Sequence, residues 1–275
     1  MAYTQSQSEN DFKLYYEDHG SGQPIILTHG WPLSSKSWES QIPVLVDLGY
    51  RVIAYDRRGF GKSSFPTSGF DYDTLTADLH NLITELDLKN VILFGFSMGG
   101  GEVVRYLTNY GSENIAKIGL ISSIIPIVKQ TEDNPDGVPQ KDLDGILDQV
   151  KNNRVTFLEG FHKNFYNYGI LSHSVSQAQL NYDWSISTHA SPLATIKTAE
   201  SWAGTDFRPE LKNVNVKTLI VHGDADQIVP IGTAGNQAAE GITDNIFKII
   251  KDGPHGLNIT HTEELNEILA DFLKS

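Results

Sequence analysis

The chain has 275 residues, and 21 Lys and Arg against 34 Asp and Glu leave a net charge of −13. That acidity, with no run of basic residues, argues against binding nucleic acid or an anionic membrane surface, since both require cationic side chains. A hydrophobic content of 39 % is enough for a large core and excludes a disordered chain, while the absence of cysteine removes thiolate nucleophiles, iron–sulfur clusters and disulfides.

The first ten residues are polar and lack the charged-then-apolar pattern of a signal peptide. No apolar run approaches the ~18–20 residues that span a bilayer. The expectation is a soluble, cytoplasmic protein.

Short apolar runs alternate with amphipathic stretches. Strands are predicted at 24–28, 51–55, 90–94 and 116–121, and helices at 38–48, 74–86 and 98–109. That alternation indicates a mostly parallel twisted sheet covered by helices on both faces, the α/β class. From 126 to 209 the pattern breaks into helical pieces rich in aromatic residues, with no clear strand. It resumes with strands at 217–222 and 245–251 and closes on a helix at 262–273. The expected organisation is a core formed by residues 1–125 and 210–275, with residues 126–209 inserted as a helical cap.

Gly95-Phe96-Ser97-Met98-Gly99 follows a predicted strand directly and opens a helix. Gly-x-Ser-x-Gly alone is a short pattern, but a strand–turn–helix corner gives it a mechanical reason. The turn leaves no room for side chains at Gly95 and Gly99 and forces the Ser97 hydroxyl out over the sheet. The simpler alternative is a glycine-rich turn in which Ser97 merely caps the helix.

A serine nucleophile needs a base, and the base needs an orienting acid. Asp224 and Asp226 both follow the strand at 217–222; the nearer one suits a loop-holding role, whereas Asp226 lies further out and can reach a histidine. Among nine histidines, His255 stands in a Gly-Pro-His-Gly loop directly after the last strand. The order Ser97, Asp226, His255 is the one expected for a nucleophile at this corner. His222, ending a strand, is expected to be buried and bonded internally, and His261 to start the final helix.

An oxyanion formed at Ser97 needs two convergent N–H donors. One is expected from Met98, the other from Trp31 in the loop after the first predicted strand; Pro32 has no N–H to offer, and the Trp31–Pro32 bond is open to the cis form. Phe161 and Phe165, one helical turn apart, are candidates to line a substrate pocket with Trp31, Ile228 and Val229.

Other signals are weaker. The Gly59-Phe60-Gly61 pair lacks the third glycine of a dinucleotide fingerprint and has no helix after it, so Asp56 and its arginines are expected to tie a structural loop. No histidine pair carries a metal-ligand spacing, so neither a cofactor nor a metal site is expected.

His29-Gly30-Trp31-Pro32, Thr205-Asp206-Phe207-Arg208 and the stretches 55–63, 95–102 and 222–230 resemble the α/β-hydrolase superfamily over essentially the whole chain. More narrowly, the chain resembles the bacterial cofactor-free haloperoxidase, perhydrolase and arylesterase group. The resemblance implies an α/β-hydrolase fold, the triad Ser97, Asp226 and His255, and oxyanion donors at Trp31 and Met98. It also implies hydrolysis of small esters through an acyl-enzyme, with hydrogen peroxide able to replace water and release a peracid that oxidises halide off the enzyme. The Trp-Pro pair resembles the haloperoxidase and perhydrolase branch. Relatives of this kind imply a homo-oligomer, a trimer or larger. A plain esterase and a hydrolase-fold binding protein with little turnover are the alternatives; an aspartate nucleophile, as a dehalogenase needs, is excluded by Ser97.

Overall fold

The structure is a computed structural model that describes residues 2–5, 12–169 and 174–275. Five largely apolar strands form its centre: β3 (Pro24–Thr28), β4 (Arg51–Tyr55), β5 (Val91–Phe96), β6 (Ile115–Ile121) and β7 (Lys217–Gly223). Strands this apolar are stable only when both faces are covered. Alternate residues point to opposite faces, so Ile26, Ile53 and Leu93 join one hydrophobic cluster while Ile25, Leu27, Val52 and Ile92 join the other.

Two further strands, β1 (Ala2–Gln5) and β2 (Lys13–Gly20), precede these, and β8 (Asn245–Ile250) follows them. The order across the sheet is β1-β2-β4-β3-β5-β6-β7-β8. The first two pairings, β1 with β2 and β2 with β4, are antiparallel, and all others are parallel. The chain therefore delivers the ends of β3, β5, β7 and β8 to one edge of the sheet.

The helices α1 (Ile42–Asp47), α2 (Tyr72–Glu85) and α3 (Met98–Tyr110) connect the first half. The helix expected over 38–48 is divided. Ser35–Trp38 forms a 3₁₀ turn that buries Trp38 completely, and α1 begins only beside Pro43. Proline has no N–H to give a preceding turn, so a helix starting at Trp38 could not run through it. α2 begins two residues earlier than expected, where Asp71 accepts the Thr74 N–H at 2.9 Å as N-cap.

Between β6 and β7 lie α4 (Gln140–Phe165), α5 (Gln177–His189) and α6 (Pro192–Gly204), with no strand among the described residues of that stretch, only isolated bridges. α4 is broken at Asn153, whose φ of −151° and ψ of 48° are not helical. The second half closes with α7 (Gly235–Gly241), α8 (Leu257–Thr260) and α9 (Thr262–Lys274). Among the described residues no helix is long and apolar enough to cross a membrane.

Candidate active site

Ser97 sits between the last residue of β5 and the first of α3, with φ of 53° and ψ of −118°. A positive φ is costly for a residue with a side chain and persists only where the surroundings enforce it. The enforcement is visible. A Cβ at Gly95 would lie 2.6 Å from Gly99 backbone, and one at Gly99 would lie 2.5 Å from the Thr28 carbonyl oxygen. With no side chain at either position, α3 packs down onto β3 and the corner closes tightly. The Ser97 N–H donates to the Ile121 carbonyl at 2.9 Å, which anchors the turn to β6.

The Ser97 Oγ–H meets His255 Nε2 at 2.9 Å, and His255 Nδ1 donates to Asp226 Oδ2 at 2.7 Å. His255 follows β8 and is almost fully buried. Its ring is held by Phe165, edge-on at 4.9 Å between centroids, and by Phe96 at 5.4 Å. The second Asp226 oxygen, Oδ1, accepts the N–H groups of Ile228 and Val229 at 2.9 and 2.8 Å. Burial works against a charge on Asp226. The facing His255 and hydrogen bonds from His222 and His255 outweigh it and hold the carboxyl well below the usual carboxylate range. A carboxylate fixed in this way orients the His255 ring, with its proton on Nδ1 and its lone pair on Nε2 aimed at the serine.

The competing residues are placed elsewhere. Asp224 accepts the Asp252 N–H at 2.6 Å and so joins the loops after β7 and β8. His222 is buried and does not reach the serine: its Nε2–H donates to the Val229 carbonyl at 2.8 Å and approaches Asp226 Oδ2 at 3.4 Å. His261 caps α9. Asp56 accepts backbone N–H groups from Ser35 and Lys62 at 2.8 Å each, but the arginines beside it pair elsewhere, Arg57 with Glu102 and Arg58 with Asp78. The expectation of one loop tied by Asp56 and an arginine is corrected to that extent: the aspartate binds the loop through backbone, while each arginine reaches a helix.

Met98 is the first residue of α3, so its N–H has no carbonyl one helical turn behind it to receive the bond. Trp31 follows β3, and a Cβ placed on Gly30 would lie 3.1 Å from the Ser97 Cβ, so this loop rests directly on the serine. The Trp31–Pro32 peptide is cis.

A cavity of about 490 Å³ opens over Ser97, lined by Trp31, Met98, Phe161, Ile228 and Val229 as well as the serine. That volume suits a drug-sized or smaller molecule. Phe165 does not line it. One turn beyond Phe161 on α4, it faces inward onto His255 and Phe96 and is fully buried, so it packs against the His255 ring and stays outside the cavity. Sequence reasoning missed Phe157 and Trp202, whose rings lie 6.4 and 5.7 Å from Trp31, and a row of uncharged polar residues on α4, Gln149, Asn153, Thr156 and Asn164. Gln149, Asn153 and Thr156 follow one another at four and three residues, and Asn164 comes eight further on; that spacing was the available signal, but the break at Asn153 hides which side faces the site.

The whole arrangement is that of a hydrolase with a strand–serine–helix corner. A family model of the alpha/beta hydrolase fold matches residues 23–262, and the chain belongs to that family. A non-heme haloperoxidase of Rhodococcus erythropolis is 38 % identical over 264 residues, 96 % of each chain. A bifunctional esterase/perhydrolase of Acinetobacter calcoaceticus is 32 % identical over 278 residues, with both chains covered in full. The crystal structure of a bromoperoxidase from Bacillus anthracis superposes with a TM-score of 0.96 at 46 % identity, covering 100 % of this chain and 99 % of the other.

Proposed function

We propose that the protein is a serine esterase that forms an acyl-enzyme at Ser97, and that hydrogen peroxide competes with water in the second half of the reaction. The observation that carries this reading is the unbroken chain from Ser97 Oγ through His255 to an Asp226 carboxylate whose other oxygen is already occupied.

His255 Nε2 takes the hydroxyl proton as Ser97 Oγ bonds to the ester carbonyl carbon, and Asp226 stabilises the imidazolium. The carbonyl oxygen gains the negative charge and is received by the N–H groups of Met98 and Trp31. Collapse breaks the ester C–O bond, and His255 returns the proton to the departing alcohol. Water, deprotonated by the same histidine, then attacks the acyl carbon and releases acid and free serine. Hydrogen peroxide in its place releases a peracid, which takes two electrons from a halide ion away from the enzyme and leaves as the carboxylic acid. Run from a carboxylic acid instead of an ester, the acylation step expels water, and no cofactor or metal enters. The perhydrolytic part is supported by the names of the 32 % and 38 % identical relatives.

The test uses the Ser97→Ala protein with nitrophenyl acetate and a fluorophosphonate label. Loss of turnover and of labelling is expected, and hydrolysis at the wild-type rate would end the reading. Bromination of monochlorodimedone in acetate, peroxide and bromide tests the peracid step; if none depends on Ser97, the protein is a plain esterase.

A further inference from the structure

One buried network runs behind the loop that carries Trp31, and the reaction steps above make no use of it. Glu102 stands on α3, one turn beyond the serine corner. Arg57 Nε donates to Glu102 Oε1 at 2.6 Å, its Nη2 pairs with the same oxygen, and the Tyr55 hydroxyl donates to Oε2 at 2.6 Å. The Arg57 and Glu102 side chains are 1 % and 0 % exposed. Arg57 also reaches the loop after β3, where Nη2 donates to the His29 carbonyl at 2.6 Å and the backbone N–H to the His29 ring at Nε2, 3.0 Å.

That last bond decides the His29 tautomer. A backbone N–H can only donate, so Nε2 is the unprotonated nitrogen and Nδ1 carries the hydrogen. Nδ1 lies 2.8 Å from the Gly30 carbonyl oxygen, which can only accept. The opposite tautomer would set Nε2–H against the Arg57 N–H and a lone pair against the Gly30 oxygen, satisfying only the 3.3 Å approach of Arg57 Nη1 to Nδ1. Burial, reinforced by the Arg57 charge, keeps the ring neutral.

The Gly30 carbonyl belongs to the same peptide unit as the Trp31 N–H. In a trans peptide the two point in opposite directions. Fixing the carbonyl toward His29, on the side where Leu33 N–H also donates to it at 3.1 Å, therefore aims the Trp31 N–H the other way. We propose that His29 is a positioning residue that aims the Trp31 oxyanion donor, and that Arg57 and Glu102 hold this aim in register with the Met98 donor at the head of α3. This rests on the esterase reading, but it adds a group that never touches substrate.

Two replacements separate aiming from packing. In His29→Asn the amide nitrogen takes the place of Nδ1 and keeps the Gly30 bond; in His29→Gln the amide oxygen takes the place of Nε2 and keeps the Arg57 bond but loses Gly30. Aiming predicts that the glutamine variant loses roughly 10–100-fold in kcat with KM nearly unchanged, because the donor acts only on the developing oxyanion. The asparagine variant should retain most of kcat at a similar melting temperature. Equal losses in both, or losses shared between kcat and KM, would overturn the proposal. The wild-type protein gives a check that does not depend on either variant folding: ¹⁵N shifts of the His29 ring at pH 8 should report Nδ1–H, and an Nε2–H ring refutes the aim. Failure of the esterase reading is distinct, since it would show as Ser97-independent hydrolysis.

Discussion

Asp226 presents one oxygen to His255 Nδ1 at 2.7 Å and spends the other on the Ile228 and Val229 N–H groups, so its two ends do different work. The consequence for Asp226→Asn follows from that division. Only the amide oxygen can accept two backbone N–H groups, so the amide nitrogen is forced to face His255. Nδ1 must then accept, the ring proton moves to Nε2, and the base is lost while the fold persists. A fall in kcat on the order of 10³–10⁴-fold is expected, with KM little altered. Steady-state hydrolysis of nitrophenyl acetate measures it; a variant within tenfold of wild type would show that Asp226 does not set the tautomer.

A second buried carboxylate behaves in the opposite sense. Asp183 on α5 accepts the Tyr166 hydroxyl and two contacts from Gln179 Nε2 at 3.2 Å each. Burial dominates over these bonds and, with a small push from Glu39, raises the carboxyl to about 6. A folded-state value above the unfolded one of about 4 means that the folded protein holds the proton more tightly. The stability this group contributes is then complete below about pH 4 and is lost as pH rises through about 6. Asp183→Asn, which still offers Tyr166 an oxygen, should exceed the wild type by roughly 1–3 kcal/mol at pH 8 and lose that advantage near pH 4. Urea unfolding at the two pH values decides it, and an advantage independent of pH would remove the titration argument.

Much of the site was legible because the residues that form it are constrained locally. The 24–28 and 51–55 runs are apolar at nearly every position, and they form β3 and β4 with those limits. The glycines around Ser97 announce a turn whose tightness has its cause in backbone, Gly99 standing against Gly95 and the Thr28 carbonyl oxygen against Gly99. By contrast β2 is buried only over its first half and ends in exposed polar residues, so no apolar run marked it. Phe165 and Phe161 share a helix face by spacing, and only the packing of α4 against the His255 loop shows that Phe161 lines the cavity while Phe165 packs on the His255 ring. The Arg57–Glu102 pair was beyond reach for a similar reason: its partners are 45 residues apart, and nothing local in either segment marks burial.

Two helical glycines should respond to alanine with opposite signs. At Gly99 the new Cβ meets the Thr28 carbonyl oxygen at 2.5 Å, a backbone atom that cannot swing aside, so α3 must lift from the sheet. A loss of about 1–3 kcal/mol is expected, together with lower turnover because the Met98 N–H moves with the helix. At Gly160 on α4, which borders the cavity, nothing lies within 4 Å of the added carbon. There the reduced backbone freedom of the unfolded chain should give up to about 1 kcal/mol of added stability. Melting temperatures of the two variants test the pair, and a destabilised Gly160→Ala would mean that the open space is not open.

Among the described residues, the cavity lining contains no Asp, Glu, Lys or Arg. A carboxylate on the acyl group would leave water without gaining an opposite charge, at a cost of at least about 2–3 kcal/mol. The nitrophenyl hemisuccinate ester should therefore fall behind the butyrate by roughly 30-fold or more in kcat/KM. Net charge offers a rival cause, because −13 on the protein also repels an anion at long range. Salt separates the two. At 1 M ionic strength the Debye length shrinks to about 3 Å, which suppresses the long-range repulsion but leaves desolvation inside the cavity untouched. Discrimination that survives high salt locates it in the uncharged lining; discrimination that disappears assigns it to the acidic surface.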